Sequence, residues 1–137
     1  MSAAREFHFG RLFDHVHVRV SDLEASKRFY RAALQALGRD LSGELPHAFF
    51  ADELFVSADG EPTRGLHIAF QTPDRASVDR WHAAMLAAGA RDNGAPGERA
   101  YHPGYYAAYV LDPDGNNVEA VHHGEAERSA PSVVVRA

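Results

Sequence analysis

The sequence predicts an α+β fold made of two similar halves, with helices on one face of a mainly antiparallel sheet. Three observations predict it: a repeat of two strand-like segments, helical spacing of apolar residues after each segment, and a hairpin turn near the end of the second half. The chain has 137 residues, of which 45% are hydrophobic and 24% charged, as is ordinary for one globular unit. A chain of this length can form a core without covalent cross-links.

The repeat relates residues 13–22 to residues 65–74. Each stretch has a histidine inside a strand-like pattern, followed seven residues later by an aspartate (22 minus 15, and 74 minus 67). The offset between the two halves, 67 minus 15, is 52 residues. Apolar residues coincide at this offset, which indicates two diverged copies of one structural unit; the matched pairs are Val16 with Ile68, Val18 with Phe70, Phe29 with Trp81 and Leu34 with Leu86.

A helix is predicted after the first strand of each half. Residues 21–22 and 72–74 supply capping side chains, and the apolar residues that follow recur at helical spacing. Gly38 and Gly89 stand where a left-handed residue would end each helix. Both halves therefore begin with a strand and a helix of defined length.

Short β-type runs follow each helix, at residues 47–57 in the first half and at 105–111 and 117–122 in the second. The last two runs are joined by residues 112–116, Asp-Pro-Asp-Gly-Asn, which are typical of a hairpin turn. We assign this segment a turn role and no catalytic role. Each half is predicted to contain a strand, a helix and then two or three strands.

Strand alternation places His15, His67 and Glu119 on the face turned away from the helices, because their apolar neighbours point to the opposite face. If the two half-sheets curl toward each other, that face lines a cup in which the three side chains can converge. Two histidines and one carboxylate hold a divalent metal and leave coordination positions open. The chain has no cysteine, so any metal must be held by N and O ligands.

The chain resembles the vicinal oxygen chelate superfamily, which contains lactoylglutathione lyases, extradiol dioxygenases, fosfomycin-modifying thiol transferases and bleomycin-binding proteins. Three segments carry the resemblance: residues 14–30 (DHVHVRVSDLEASKRFY), the His67 strand and residues 111–119 (LDPDGNNVE). The resemblance implies one domain over residues 12–123, between tails at 1–11 and 124–137.

Within that domain, the resemblance implies two βαβββ modules, at about residues 12–60 and 64–123, that form a curved sheet cup with the helices outside. It also implies metal ligands at His15, His67 and Glu119. Fe(II), Mn(II), Zn(II) and Ni(II) all suit this ligand set.

Such a metal binds two adjacent oxygens of a substrate and acts as a Lewis acid. Extradiol-dioxygenase-like chemistry is slightly favoured, because Tyr109 lies ten residues before Glu119, a spacing similar to that of the catalytic tyrosine of ring-cleaving dioxygenases. His102 and His17 are the other catalytic candidates. Lyase or isomerase chemistry, thiol transfer, and non-enzymatic binding of the bleomycin-resistance type are the alternatives.

The chain departs from each subfamily at one position. The dioxygenases carry a further active-site histidine before the second module, where this chain offers only His47. The lyases use a fourth ligand, a glutamate at the end of the first module, for which Glu53 is the candidate. The thiol transferases carry a threonine at the position of His17. The reaction is therefore left open.

A small-molecule substrate is expected, because the net charge of −5 and the pI near 5.9 give no reason to expect nucleic acid or an anionic membrane as partner. No apolar stretch reaches the roughly 18 residues of a membrane span, and residues 1–10 lack the apolar core of a signal peptide, so a cytoplasmic location is expected. The resemblance implies a homodimer.

Two further sets of residues have open interpretations. Residues 133–135 form either an edge strand or a subunit contact. Six aromatic residues either line the cup, favouring a planar ligand, or pack in the core; they are Phe49, Phe50, Phe55, Tyr105, Tyr106 and Tyr109.

Overall fold

The computed structural model describes residues 6–9 and 12–136, and these form two helices and ten strands. The first module contains β2 (Val16–Arg19), α1 (Leu23–Gln35), β3 (Gly43–Leu45), β4 (Ala48–Ala51) and β5 (Leu54–Ser57). The second contains β6 (His67–Gln71), α2 (Arg75–Ala87), β7 (Arg91–Glu98), β8 (Tyr106–Leu111) and β9 (Asn117–His122). Outside the modules lie β1 (Glu6–Phe9) and β10 (Val133–Arg136).

The two modules form separate four-stranded sheets with the same topology. The strand orders are β2-β5-β4-β3 and β6-β9-β8-β7. In each sheet the first pair is parallel and the other two pairs are antiparallel. The predicted fold of two α+β halves with mainly antiparallel, curved sheets is therefore confirmed. A third, two-stranded sheet pairs β1 with β10, so residues 133–135 do form a strand.

Both helices begin and end where the sequence predicts. Asp22 caps α1, since its Oδ1 accepts a hydrogen bond from the backbone N–H of Ala25 at 3.1 Å. Asp74 caps α2 in the same way through the N–H of Ser77 at 2.7 Å. Just beyond the helices, Gly38 and Gly89 have φ angles of +76° and +93°, a conformation that glycine adopts without strain.

One hydrophobic core joins the two modules. It contains Val18 and Tyr30 from the first module and Trp81, Val110 and Val118 from the second, all of them buried. Burial of these core residues supplies the main stabilising force of the fold. The opposite face of each sheet is turned away from the helices, and we call it the open face.

A buried hydrogen-bond network fastens the hairpin turn of the second module to the first helix. Tyr30 donates its hydroxyl to Oδ2 of Asp112 at 2.7 Å. Oδ1 of Asp112 accepts the backbone N–H groups of Asp114 and Asn116. Burial, and then the charge of Asp112, raise the pKa of Tyr30, so the phenol stays protonated and keeps donating. The turn thus also holds the modules together.

The strand boundaries differ from the prediction in three places. The run at residues 47–57 is two strands, β4 and β5, with His47 outside them, and β3 precedes it. His15 lies just before β2 instead of inside the strand. The sequence pattern does not predict β7: its glycines and proline are typical of a loop, and its pairing with β8 shifts register twice.

Neither of the two helices is long and apolar enough to cross a membrane.

A candidate metal site on the open face of the second module

The site is organised around one row of residues that crosses the second sheet. Cross-strand pairing aligns Gly94 with Tyr109, Tyr109 with Glu119, and Glu119 with Ala69. Directly paired residues point to the same face of a sheet, so this row lies on the open face. Glu119 occupies β9, which has a neighbouring strand on each side. The candidate ligand is therefore held by an inner strand of the sheet.

Glu119 is buried and each of its carboxylate oxygens has a donor. Only 1% of the residue is exposed. Oε1 lies 2.6 Å from Nε2 of His67, and Oε2 accepts a hydrogen bond from the hydroxyl of Tyr105. A buried charge requires such partners to offset its lost hydration. The side chain of His67 is 51% exposed, so this hydrogen bond connects the buried carboxyl group to the surface.

The contact between His67 and Glu119 fits one edge of a metal site. Imidazole nitrogen and carboxylate oxygen are the ligand types that first-row divalent ions accept. The two atoms share a hydrogen bond, and a metal ion held at this place would replace its proton. The structure thus brings together two of the three predicted ligands.

His15 does not join the other two ligands within one chain. Its side chain is 65% exposed and its Nδ1 lies 2.8 Å from Oδ1 of Asp14. Among residues 6–9 and 12–136, no three histidine, aspartate or glutamate side chains come together in a way that could hold a metal ion. His15 precedes β2, the outer strand of the first sheet, whereas His67 begins β6, the outer strand of the second.

Tyr109, the first catalytic candidate, lies beside the two ligands. Its ring centroid is 6.1 Å from that of His67, and it pairs directly with Glu119. Burial, and then the charge of Glu119, raise the pKa of Tyr109. The phenol is consequently neutral at ordinary pH and is able to donate a hydrogen bond.

Tyr105, which the sequence predicts only as an aromatic lining residue, is a further residue of the site. Its hydroxyl contacts Glu119 directly. Burial, and then this hydrogen bond to Glu119, raise the pKa of Tyr105. A signal was available: counting back from Tyr109 in steps of two reaches Ala107 and then Tyr105, which places all three on one face.

His102 reaches the candidate ligand Glu119 only through Tyr105. Its Nε2 is 2.9 Å from Nδ1 of His123, and the two rings stack with centroids 5.2 Å apart. Tyr105 packs edge to face with both rings, and its centroid is 5.3 Å from that of His102 and 5.0 Å from that of His123. His102 therefore contacts the tyrosine that holds Glu119, and not Glu119 itself.

His17 lies on the open face of the first module. Its Nε2–H donates to Oγ of Ser57 at 2.7 Å, and the Ser57 hydroxyl donates to Asp59. The ring also meets Phe55 edge to face at 5.1 Å. The structure thus places His17 on the other sheet from His67 and Glu119, in contact with Ser57 and Phe55.

The first module has a phenylalanine in the place that Glu119 occupies in the second. Phe55 pairs with His17, and Glu119 pairs with Ala69, which is the repeat partner of His17 (17 plus 52 is 69). Glu53, the candidate fourth ligand, lies in the turn before β5, where its backbone oxygen accepts the N–H of Val16. The two modules share the same topology, but at this position the second carries a carboxylate and the first a phenyl ring.

The remaining candidate residues divide between the surface, the core and the open face. His47 is exposed in the turn between β3 and β4. Phe49 and Tyr106 pack in or against the core. Phe50 and Phe55 pair on the open face of the first module, with nearly parallel rings 6.4 Å apart. Of the six aromatic residues predicted to line the cup, the four on the open face are therefore Phe50, Phe55, Tyr105 and Tyr109.

Solved structures share this fold. A glyoxalase/bleomycin resistance protein from Albidiferax ferrireducens T118 is 32% identical, with a TM-score of 0.67, and the match covers 82% of this chain and 98% of that one. A glyoxalase/bleomycin resistance protein/dioxygenase family enzyme from Burkholderia phytofirmans PsJN is 21% identical, with a TM-score of 0.62 and coverages of 80% and 97%. The lactoylglutathione lyase of Agrobacterium tumefaciens is 24% identical, with a TM-score of 0.57 and coverages of 80% and 91%.

Among curated proteins none matches the chain. Residues 12–120 match the model of the glyoxalase/bleomycin resistance protein/dioxygenase superfamily, and these residues include His15, His67 and Glu119. The match extends over most of the chain and agrees with the two-module fold. The chain therefore belongs to the glyoxalase/bleomycin resistance protein/dioxygenase superfamily.

Proposed function

We propose that the chain is one subunit of a homodimeric enzyme that uses a divalent metal to bind the adjacent oxygens of a small aromatic substrate. The proposed reaction is extradiol-type ring cleavage of a catechol, in which both atoms of O₂ enter the ring-opened product. The observation that carries the proposal is the contact of 2.6 Å between His67 and Glu119.

The proposed ligands are His67 and Glu119 of one subunit and the partner subunit's His15. Since β2 and β6 are outer strands of separate sheets, two copies can place the first module of one beside the second module of the other. Large apolar side chains lie next to His15 in the sequence and are exposed in the single chain: Leu12 by 84% and Phe13 by 62%. Burial of such residues between subunits favours association.

A bound divalent ion would supply Lewis-acid chemistry toward two adjacent substrate oxygens. Tyr105 holds the second oxygen of Glu119, which fixes the direction of the carboxylate. Tyr109 presents a neutral phenol that can donate a hydrogen bond to a substrate oxygen. Phe50 and Phe55 offer flat apolar surface to an aromatic ring.

The number of protein ligands favours ring cleavage over the lyase reaction. Phe55 takes the place of a second carboxylate in the first module, so the proposed set contains three protein ligands. A two-histidine, one-carboxylate set leaves open positions for a bidentate substrate and O₂. A fourth protein ligand would occupy one of these positions.

The test is turnover by metal-loaded protein. Protein freed of metal and reloaded anaerobically with Fe(II), Mn(II), Zn(II) or Ni(II) is mixed with catechol, and O₂ uptake and the absorbance of the ring-opened product are followed. Uptake is expected with a redox-active metal and is expected to be lost in His67→Ala and Glu119→Gln. His47→Ala is the matched control, because His47 is an exposed histidine in a turn outside the site. Absence of uptake with every metal would contradict the ring-cleavage proposal.

A second candidate is a metal-free binding protein of the bleomycin-resistance type. It is favoured by one observation: each oxygen of Glu119 already has a protein donor. Aromatic ligands would then bind equally well to metal-free and metal-loaded protein, without any product. Formation of product without O₂ uptake would point instead to lyase or isomerase chemistry.

A further inference from the structure

Arg99 lies over the open face of the second module, beside the proposed metal site. Its guanidinium carbon is 5.1 Å from the centroid of the Tyr109 ring. Nη2 donates to the backbone oxygen of Ala95 at 2.7 Å, and Nη1 donates to that of Glu98 at 3.3 Å. Two backbone carbonyls and an aromatic face thus fix the position of this cation.

The irregular path of β7 makes room for Arg99. A Cβ atom added at Gly94 would lie 2.7 Å from Cδ2 of Tyr109 and 3.4 Å from Nη2 of Arg99. A Cβ atom at Gly97 would lie 3.0 Å from Nη1 of Arg99. Both glycines are positions at which the pairing of β7 with β8 shifts register. The sheet is therefore built around the guanidinium, at the end of the row that carries Glu119.

The charge of Arg99 has no acidic partner in the described part of the chain: two of its N–H groups donate to backbone oxygens, and its other hydrogen-bonding neighbour is the neutral phenol of Tyr109. Arg75 provides a contrast: it stacks on Tyr106 at 4.7 Å and forms a salt bridge with Glu98 at 2.9 Å. Arg99 is half-buried, and a partly desolvated cation without a counter-ion favours the binding of an anion.

We propose that Arg99 is a specificity-determining residue that binds a carboxylate on the substrate, which makes the substrate an aromatic acid with two adjacent oxygens. This inference rests on the proposed function and names its substrate class. The guanidinium is a planar fork that matches a carboxylate, and its Nε–H and one N–H on each Nη are not used by the contacts to Ala95 and Glu98.

Arg99 lies over a residue that pairs directly with Glu119. Tyr109, which lies under Arg99, and Glu119 occupy neighbouring strands, which are about 4.8 Å apart. The proposed substrate is a benzene ring with a carboxylate at one end and two hydroxyls at the other. The oxygens of the diol would then coordinate a metal ion held by the proposed ligands while Arg99 binds the acid.

The experiment compares two ligands that differ only in the acid group. Isothermal titration calorimetry measures the binding of catechol and of 3,4-dihydroxybenzoate to Zn(II)-loaded protein. Zn(II) is used because it does not support oxidation of the two diols. The wild-type protein is expected to bind the acid more tightly. Arg99→Met is expected to weaken binding of the acid at least about tenfold and to leave catechol within about twofold. Arg99→Lys is expected to recover part of the loss, because it keeps the charge but not the fork.

Arg75→Met is the matched control, since it removes an arginine that also stacks on a tyrosine of β8 but is already neutralised by Glu98. It is expected to leave the affinities of both ligands unchanged. An equal loss of both ligands in folded Arg99→Met, or no preference of the wild-type protein for the acid, would overturn the proposal and leave Arg99 as a support for the bulged strand.

The same titrations on metal-free protein separate this inference from the proposed function. If the metal site is wrong, Zn(II) changes neither affinity, yet the preference for the acid and its dependence on Arg99 persist. If the subsite is wrong, Zn(II) strengthens the binding of both diols equally and Arg99→Met has no selective effect.

Discussion

The hydroxyl of Tyr105 donates a hydrogen bond to Oε2 of Glu119, the oxygen that His67 does not contact. Each carboxylate oxygen therefore has its own donor, and the carboxylate cannot turn without losing one of them. Outer hydrogen bonds of this kind orient a ligand before the metal arrives. Three residues from three separate segments of the second module are tied together in this way.

Replacing Tyr105 by phenylalanine is expected to lower the affinity for divalent metal by about 10- to 100-fold, because the buried oxygen of Glu119 loses its donor and the carboxylate its orientation. Competition with a chromophoric zinc chelator measures the change. Tyr101→Phe is the control, since Tyr101 is exposed and contacts Tyr105 edge to face without contacting Glu119. Equal affinity of the Tyr105→Phe and wild-type proteins would show that Tyr105 does not position the ligand.

Mixing two inactive variants tests whether His15 acts across subunits. His15→Ala and His67→Ala homodimers are each expected to bind no metal at the site. After co-refolding, each mixed dimer is expected to regain one site, formed by the intact His15 of one chain and the intact His67 of the other. Metal analysis of the purified mixed dimer measures this recovery. If the three ligands belonged to one chain, mixing would restore nothing.

Tyr30→Phe is expected to lower the free energy of unfolding by about 1–3 kcal/mol, because it removes the donor to a buried oxygen of Asp112. Urea denaturation followed by the fluorescence of the buried Trp81 measures the loss. Tyr101→Phe serves again as the exposed control. A change within experimental error in Tyr30→Phe would mean that the network between the modules contributes no net stability.

The charge of Asp74 makes the stability of the protein depend on pH in the acid range. Hydrogen bonds from the side chain and then the backbone N–H of Ser77 hold the pKa of Asp74 below its ordinary value of 3.8. A group whose pKa is lowered by folding stabilises the protein above the unfolded value, and this contribution is lost as the pH falls through the folded value. The stability advantage of the wild-type protein over Asp74→Ala is therefore expected to be full at pH 7 and to shrink below about pH 4.

Thermal denaturation of both proteins between pH 7 and pH 2 measures this dependence. An advantage of the wild-type protein that is as large at pH 2 as at pH 7 would show that the carboxylate charge does not support the helix cap.

The repeated strand and helix patterns were predictable because they depend on local periodicity. Val18 of β2 and Val20 just after it are buried opposite His17 and Arg19, and both helices end before glycines with positive φ, as predicted. The strand β7 was not predictable, since Gly94 and Gly97 are typical of loops and their use in a bulged edge strand depends on the side chain of Arg99.

The site was predictable in part for the same reason. Alternation placed His67 and Glu119 on one face, and the parallel pairing of β6 with β9 brings them into contact. The position of His15 relative to them depends on which sheet edges meet, and no local pattern encodes that. Tyr105 acts on Glu119 from just outside β8, where alternation is a weaker guide.

The two repeats differ at one position of the open face, which is Glu119 in the second and Phe55 in the first. Under the proposed function the second half would supply charge to hold an ion, whereas the first would supply a hydrocarbon wall against which a ligand can rest. Substitutions at Phe55 would then change which compounds fit while the proposed ion-binding residues stay intact. Such separation lets a duplicated protein acquire new substrates without first losing its chemistry.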